Sequence, residues 1–303
     1  MSDLGASTGA FLGLAAPYGD VENARFLVSA IPYEFSPGGR AGVAAGAARI
    51  LDASRRVEFF DEETFKSAAR LGIATVEPQF PEMPPEDFAQ ELQAYAGRVQ
   101  RAGKRAIYLG GEGSITQGLV RAYLNQYRDL TLLQFDAHPN LRSEYLGQRF
   151  GRMTVMARLL GDLPITQVGI RSMSEEEANL TDKGSVSTYF ASDLLASPLR
   201  SETIPAICKG LSHHVYVSVD MTVFDPALCP ATNLPEPGGL GWQTVLEILK
   251  AVARERDIVA MDIVETVPMQ DHVVTEYVAA RLAYKVMGYL AQFRQWPELA
   301  TGG

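Results

Sequence analysis

The sequence predicts an α/β fold: a three-layer α/β/α sandwich whose central sheet is mostly parallel. Three observations predict it. Short apolar runs alternate with longer helical stretches from residue 26 onward, which is the rhythm of strand–helix–strand crossovers. No shift in composition and no repeat marks a boundary, so residues 1–303 are expected to form one domain. Residues able to do chemistry collect just after apolar runs, where a parallel sheet places its ligands.

Residues 1–24 read as a loosely ordered lead-in, followed by a buried strand over 26–32 and a loop at 37–40. The Ala-rich stretch 42–54 predicts a helix, and 57–60 and 72–76 predict short strands. Residues 84–102 open with proline and acids and close before Gly103, the polarity of a helix. A strand over 106–109 runs into Gly110 and Gly111, then come a helix over 114–127 and a strand over 130–135. The second half predicts a helix at 153–160 and strands at 165–170, 186–190 and 215–219. A proline- and glycine-rich loop at 226–241, a helix at 242–254, a strand at 258–264 and a long helix over 273–293 complete it.

Composition narrows the function. A net charge of −9 excludes a basic nucleic-acid face and an anionic membrane surface as partners. No apolar run approaches the roughly 20 residues of a membrane span. The N-terminus has no basic n-region of a signal peptide. Two cysteines, Cys208 and Cys229, make no disulfide framework and fit a reducing, cytoplasmic setting.

Four predicted strand ends carry the candidate chemistry. After 130–135 come Asp136, His138 and Asn140, which period two places on one side, either as part of a metal site or as a hydrogen-bonded turn. The run 109–114, Leu-Gly-Gly-Glu-Gly-Ser, is a sharp turn, and it lacks the Lys-Ser/Thr of a phosphate loop. In the third, Asp220 and Thr222 share a side, and Asp225-Pro226 reads as a capped turn. The fourth puts Glu265 just beyond an apolar strand that holds Asp262.

Together these stretches resemble the ureohydrolase family of arginases, agmatinases, formiminoglutamases and proclavaminate amidinohydrolases. The places of its signatures Gly-Gly-Asp-His-Ser, Asp-Ala-His-x-Asp and Ser-x-Asp-x-Asp-x-x-Asp-Pro occur here in order. Residues 235–240 and 262–268 are similar to its substrate loop and guanidinium-binding segment, and Asp271, Thr275 and Ala279-Ala280-Arg281 to its last-helix pattern. Pro32-Tyr33 and residues 57–61 resemble the shorter bacterial and archaeal agmatinases. The resemblance implies an arginase-like sandwich and two Mn²⁺ ions held by four aspartates and two histidines, with a bridging hydroxide attacking a guanidinium carbon.

Carried over position by position, that ligand set is incomplete. Asp136, His138 and Asp220 are kept, while the other three ligand positions hold Gly113, Asn140 and Thr222. Two carboxylates cannot neutralise two divalent ions, and burying uncompensated charge is expensive. The family's proton-shuttling histidine falls at Arg152, which stays charged and cannot shuttle. Arg152 is expected to reach toward Asp136 and Asp220, with Gly113 making room. Glu265 matches the acid that holds the substrate guanidinium, which implies a retained guanidino or amino ligand, with Asn140 and Thr222 beside it.

The resulting expectation is a catalytically impaired or inactive paralogue, with Mn²⁺ absent or reduced to a single divalent ion. The alternative is hydrolysis of a linear amidine, agmatine to putrescine and urea. A further alternative is amide hydrolysis by one metal on Asp136, His138 and Asp220, with Glu112 as a candidate base. By analogy the chain forms a homo-oligomer, trimer or hexamer, or assembles with an active relative. His213, His214, His272 and Arg171 are expected to be structural.

Overall fold

The computed structural model describes residues 4–5, 11–182, 184 and 186–299. Eight strands form one sheet in the order β2-β1-β3-β8-β7-β4-β5-β6, and all neighbours pair parallel. These are β1 (Phe26–Ile31), β2 (Ile73–Val76), β3 (Arg105–Gly110), β4 (Leu130–Phe135), β5 (Ile165–Ile170), β6 (Ser187–Phe190), β7 (His214–Asp220) and β8 (Asp257–Val264). The helices are α1 (Gly46–Ser54), α2 (Pro85–Arg101), α3 (Ile115–Leu124), α4 (Glu175–Asp182), α5 (Ala191–Leu195), α6 (Ser197–Gly210), α7 (Trp242–Glu255) and α8 (Val274–Arg294).

The strands are apolar on both faces because both are covered. Val28, Leu109, Leu133, Phe135, Val217 and Ile263 face one core, which α1, α7 and α8 close with Ile50, Ile248, Leu249 and Leu282. Their neighbours Leu27, Tyr108, Leu132 and Tyr216 face the other, filled by Phe88, Leu92 and Tyr95 of α2 and Leu119 and Tyr123 of α3. Alternation along each strand assigns the faces.

The predicted three-layer architecture is the one observed, and three local expectations are corrected. Residues 57–60 are not a strand: Phe59 and Phe60 are exposed, and only an isolated bridge joins Asp61 to Lys66. The helix expected at 153–160 shrinks to one 3₁₀ turn, Arg152–Thr154, followed by hydrogen-bonded turns. In the lead-in, residues 1–3 and 6–10 lie outside the described residues. From residue 11 the chain is anchored rather than loose: Phe11 is fully buried, and its N–H donates to Thr75 Oγ1 at 3.0 Å. Helices α4 and α6 were not legible, because α4 opens on Glu175, Glu176 and Glu177 and α6 carries Pro205 inside it.

The central four strands, β3, β8, β7 and β4, are consecutive neighbours. Because all run parallel, their carboxyl ends share one edge, and Glu112, Glu265, Asp220 and Asp136 follow them there. Among the described residues no helix is long and apolar enough to cross a membrane.

Candidate functional site

Asp136 is the centre of the site, and its carboxylate is saturated. Its Oδ2 accepts from Gln134 Nε2 and from Asn140 Nδ2, each at 2.7 Å. Its Oδ1 accepts from the His138 N–H at 2.8 Å and from Thr222 Oγ1 at 3.0 Å. Four donors fill the four lone-pair positions that a carboxylate has. The donors are themselves fixed. Gln167 Nε2 donates to Gln134 Oε1 at 2.7 Å, which turns the Gln134 amide nitrogen toward Asp136. Asn140 adopts φ 56°, a left-handed conformation that asparagine tolerates, and this brings its amide back onto the strand end.

Thr222 joins Asp136 to Asp220. Its hydroxyl also lies 2.6 Å from Asp220 Oδ1, which accepts the Thr222 N–H at 2.8 Å. One hydroxyl proton serves one acceptor. Burial, reinforced by the charges of Asp136 and Glu265, pushes the Asp220 carboxyl well above the usual carboxylate range. With a proton on Asp220, the Thr222 hydroxyl is free to serve Asp136 at 3.0 Å, and the chain Asp220–Thr222–Asp136 is continuous. Beside it, His138 Nδ1 is 3.5 Å from Asp136 Oδ1, and Nε2 is 3.7 Å from Glu236 Oε1. Burial opposes the charged imidazole, but Asp136 and Glu236 outweigh it and raise its pKa.

Replacing Asp136 with Asn turns one oxygen into an N–H donor facing other donors. The expected loss is about 2–3 kcal/mol of stability, an unsatisfied buried pair. Chemical unfolding of the D136N variant measures it, and a loss below about 0.5 kcal/mol contradicts the saturated arrangement.

Arg152 corrects an expectation. It is buried in the cleft but does not pair with Asp136 or Asp220. Its Nη2 donates to the Ser36 carbonyl at 3.0 Å and lies 3.7 Å from Glu112 Oε2, while Nη1 is 3.8 Å from Glu265 Oε2. The reason is at the backbone. The Arg152 N–H donates to Ser36 Oγ at 3.0 Å, which tethers it to the loop after β1. From there the guanidinium reaches the ends of β3 and β8, while Asp136 is already occupied. Gly39, at φ 76°, completes the fit: a Cβ there would collide with Asn233 and Arg152.

Glu265 stands at φ 65°, with Oε1 accepting the Gly113 N–H at 2.7 Å and Oε2 accepting Asn233 Nδ2 at 3.0 Å. Burial pushes its carboxyl up to about 7, the Arg152 guanidinium pulling the other way and Glu112 adding to the rise. Glu112 is fully buried and clamps the β1 loop. It accepts from the N–H groups of Phe35 at 2.9 Å and Ser36 at 2.7 Å, and from the hydroxyls of Ser36 and Ser114. Its lone pairs are thus occupied, which leaves no free oxygen for the base role considered above.

The cleft between Gly113, His138, Arg152, Asp220, Thr222 and Glu265 encloses only about 10 Å³, no more than one water-sized sphere. Gly113 is not there for lack of space. A Cβ would meet Glu265 Oε1 at 3.6 Å and Val264 Cγ2 at 3.8 Å, ordinary contacts. Among the described residues no group of three or more His, Cys, Asp or Glu side chains is disposed to hold a metal ion.

Other residues frame the cleft. Arg171 donates to the carbonyls of Thr222 at 2.7 Å and Glu236 at 2.8 Å, pinning the 226–241 loop. Asp225 accepts from Ala227, Gly238 and Gly239 N–H groups, as a turn cap does, and these bonds hold its carboxyl below the usual range. His214 pairs with Asp129 at 2.7 Å at the far end of β7. Sequence reasoning missed Gln134, Gln167, Asn233, Glu236 and Ser36. The signal for the first two was present: glutamines inside otherwise apolar strands need buried partners. The others sit on loops whose approach no periodicity encodes.

A parallel α/β/α sandwich with buried carboxylates, an imidazole and a guanidinium at the carboxyl edge of its central strands has the layout of an arginase-like scaffold. The arginase family model matches residues 24–288, and the chain belongs to that family. An N(1)-aminopropylagmatine ureohydrolase of Thermus thermophilus is 35% identical over 272 residues, covering 88% of this chain and 90% of the relative. A protein of the same name from Synechocystis is 32% identical over 275 residues, covering 88% and 89%. The solved agmatine ureohydrolase of Thermoplasma volcanium superposes with a TM-score of 0.84 at 30% identity, covering 91% of this chain and 93% of that one.

Proposed function

We propose that this chain is a ureohydrolase-family protein that lacks the family's dinuclear manganese chemistry, a catalytically impaired paralogue whose cleft is latched by its own guanidinium. The saturation of Asp136 carries the reading. A metal ligand must present a free lone pair, and each one on Asp136 already receives a donor from Gln134, Asn140, His138 or Thr222. Asn140 and Thr222 stand where the resemblance puts carboxylate ligands, and both act as hydrogen-bond donors to the carboxylate that remains. Gly113 leaves a third ligand position without a donor. The donor set fits neither two Mn²⁺ ions nor one ion on Asp136, His138 and Asp220.

Arg152 supports the same reading. Its guanidinium lies beside Glu265, the acid that the resemblance assigns to the substrate guanidinium, and the space left admits no second one. The protein therefore resembles its relatives in scaffold, as one domain over 1–303. Its role is assembly, as a homo-oligomer or with an active relative, in the cytoplasm, and the guanidino or amino ligand expected at Glu265 finds no room beside Arg152.

The names of the relatives favour a second reading, hydrolysis of a linear amidine such as agmatine or N(1)-aminopropylagmatine. One assay separates the two. Purified protein is incubated with excess Mn²⁺ and each guanidino compound, and urea is measured alongside the metal content of the dialysed protein. The expected result is no urea above the metal-only control and less than 0.1 equivalent of bound manganese. Urea release, or two manganese ions per chain, overturns the proposal.

A further inference from the structure

A second cleft lies between α1 and the loop that leads from β8 into α8, and it shares no lining residue with the candidate site. Its volume is about 620 Å³, in the range of small-molecule sites. It is lined by Arg49 and Asp52 of α1, by Arg56 of the turn after it, and by Asp271, His272 and Glu276.

Two of these groups are buried with polar atoms unmet. Glu276 is 2% exposed, and its Oε2 has no hydrogen-bond partner among the described residues. His272 Nδ1 is likewise buried and without one. Such atoms are rare in folded proteins, because each forfeits its hydration with nothing in return. His272 belongs to the loop before α8 and Glu276 to the first turn of the helix, and both line the cleft. In the first turn of α8 the Glu276 N–H and the Arg49 guanidinium favour its carboxylate, while Val273 and Val274 beside it are exposed.

The unmet carboxylate also specifies the ligand. A carboxylate oxygen only accepts, so Glu276 Oε2 calls for an N–H donor. In the cleft Asp52, Asp271 and Glu276 supply three negative charges against two from Arg49 and Arg56. That leaves an excess of one negative charge, matched by a monovalent cationic head.

We infer that this cleft binds a small organic cation through an ammonium or guanidinium group, whose N–H donors meet Glu276 Oε2 beside His272. Asp271 and Asp52 add attraction at the mouth. Arg49 and Arg56 restrict the site to a compact head and accommodate a carboxylate where the ligand carries one. The site is separate from the cleft of Arg152 and Glu265, and the inference stands whether or not that cleft is catalytic.

Isothermal titration of the full chain tests it with two probes, putrescine for ammonium and guanidinium chloride for guanidinium, and with sodium phosphate as an anion control. The expected result is saturable binding of at least one cation at one equivalent per chain. Glu276→Gln keeps the shape and removes the charge, and weakens binding at least tenfold. His272→Phe, at a half-buried loop position, does the same and serves if the first variant fails to fold. Glu265→Gln leaves the affinity unchanged. Absence of binding by both cations overturns the inference. So does affinity that survives both α8-side variants, affinity that is lost in Glu265→Gln, or binding of phosphate alone.

Discussion

Replacing Lys285 with Met destabilises the protein by about 3–5 kcal/mol at pH 7, the usual result of stripping one partner from a buried ion pair. Lys285 is 2% exposed, and its Nζ lies 2.8 Å from Asp61 Oδ2, 2.8 Å from Glu62 Oε1 and 3.3 Å from Glu63 Oε2. Asp61 carries the effect, because it too is buried. Glu62 is largely in water and contributes little. Burial alone would raise the Asp61 carboxyl, yet the Lys285 ammonium and the Thr64 N–H bring it below the ordinary value. Lys285 is raised in turn, burial opposing and the acids prevailing.

The sign with pH follows from those directions. The Asp61 contribution is complete above its unfolded pKa, about 4, and is lost as pH falls through the lower folded value. The Lys285 contribution is complete below about 10.4 and is lost as pH rises through the higher folded one. In the variant, Asp61 keeps its burial and loses the nearer of its two cations, with Arg281 Nη2 left at 3.5 Å, so acid protonates it more readily. The gap between wild type and variant is therefore widest near neutrality and narrows below about pH 4. Urea unfolding at pH 7 and pH 3.5 measures both. A gap that stays constant, or one under 1 kcal/mol at pH 7, shows that the cluster is not the cause.

Lys285 also shows where sequence reading stops. The apolar stretch over 273–293 identified a long closing helix. A lysine within it looks like a snorkelling surface residue until the loop at 61–63 is folded over it. The same division holds at the site. Strand ends were legible because apolar runs stop abruptly at Asp136, Asp220 and Glu265. Motif spacing identified which positions share an edge, since a parallel sheet brings its carboxyl ends together wherever the strands fall in the chain.

The pairing of side chains was not legible. That Arg152 meets Glu112 and Glu265 rather than Asp136 depends on a tether to Ser36, a contact across 116 residues. That Asp136 is saturated depends on the rotamers of Gln134 and Asn140, which no spacing encodes. The sequence order of motifs survives the loss of ligands, so likeness alone cannot separate a working centre from a rebuilt one.

Restoring the ligands makes the opposite case testable. A quadruple variant, Gly113→His, Asn140→Asp, Thr222→Asp and Arg152→His, returns the family's residue types to this scaffold. The structure admits the changes. A Cβ at Gly113 makes only ordinary contacts, Asn140→Asp is isosteric, and removing the Arg152 side chain opens the space it fills. Without metal the variant is expected to be less stable than wild type. Two donors to Asp136 become like-charged acceptors, and the repulsion has no cation to relieve it. With metal the order reverses. An ion at one hundred times its dissociation constant adds about 2.7 kcal/mol to the folded state, which raises the melting temperature by several degrees. The wild type, with Asp136 occupied, shows no such shift.

Differential scanning fluorimetry with and without Mn²⁺ reads both proteins, and urea release from agmatine reads the recovered chemistry. A control carrying only Arg152→Met opens the cleft without supplying ligands, and it is expected to stay indifferent to Mn²⁺. If the control responds as strongly as the quadruple variant, the guanidinium alone was excluding the metal, and Gln134 and Asn140 do not hold Asp136 as tightly as their 2.7 Å bonds imply. If the wild type responds, the saturation of Asp136 yields to metal and the latch is a resting state of an enzyme. Only a response confined to the quadruple variant agrees with a centre dismantled at its ligands and closed by hydrogen bonds in their place.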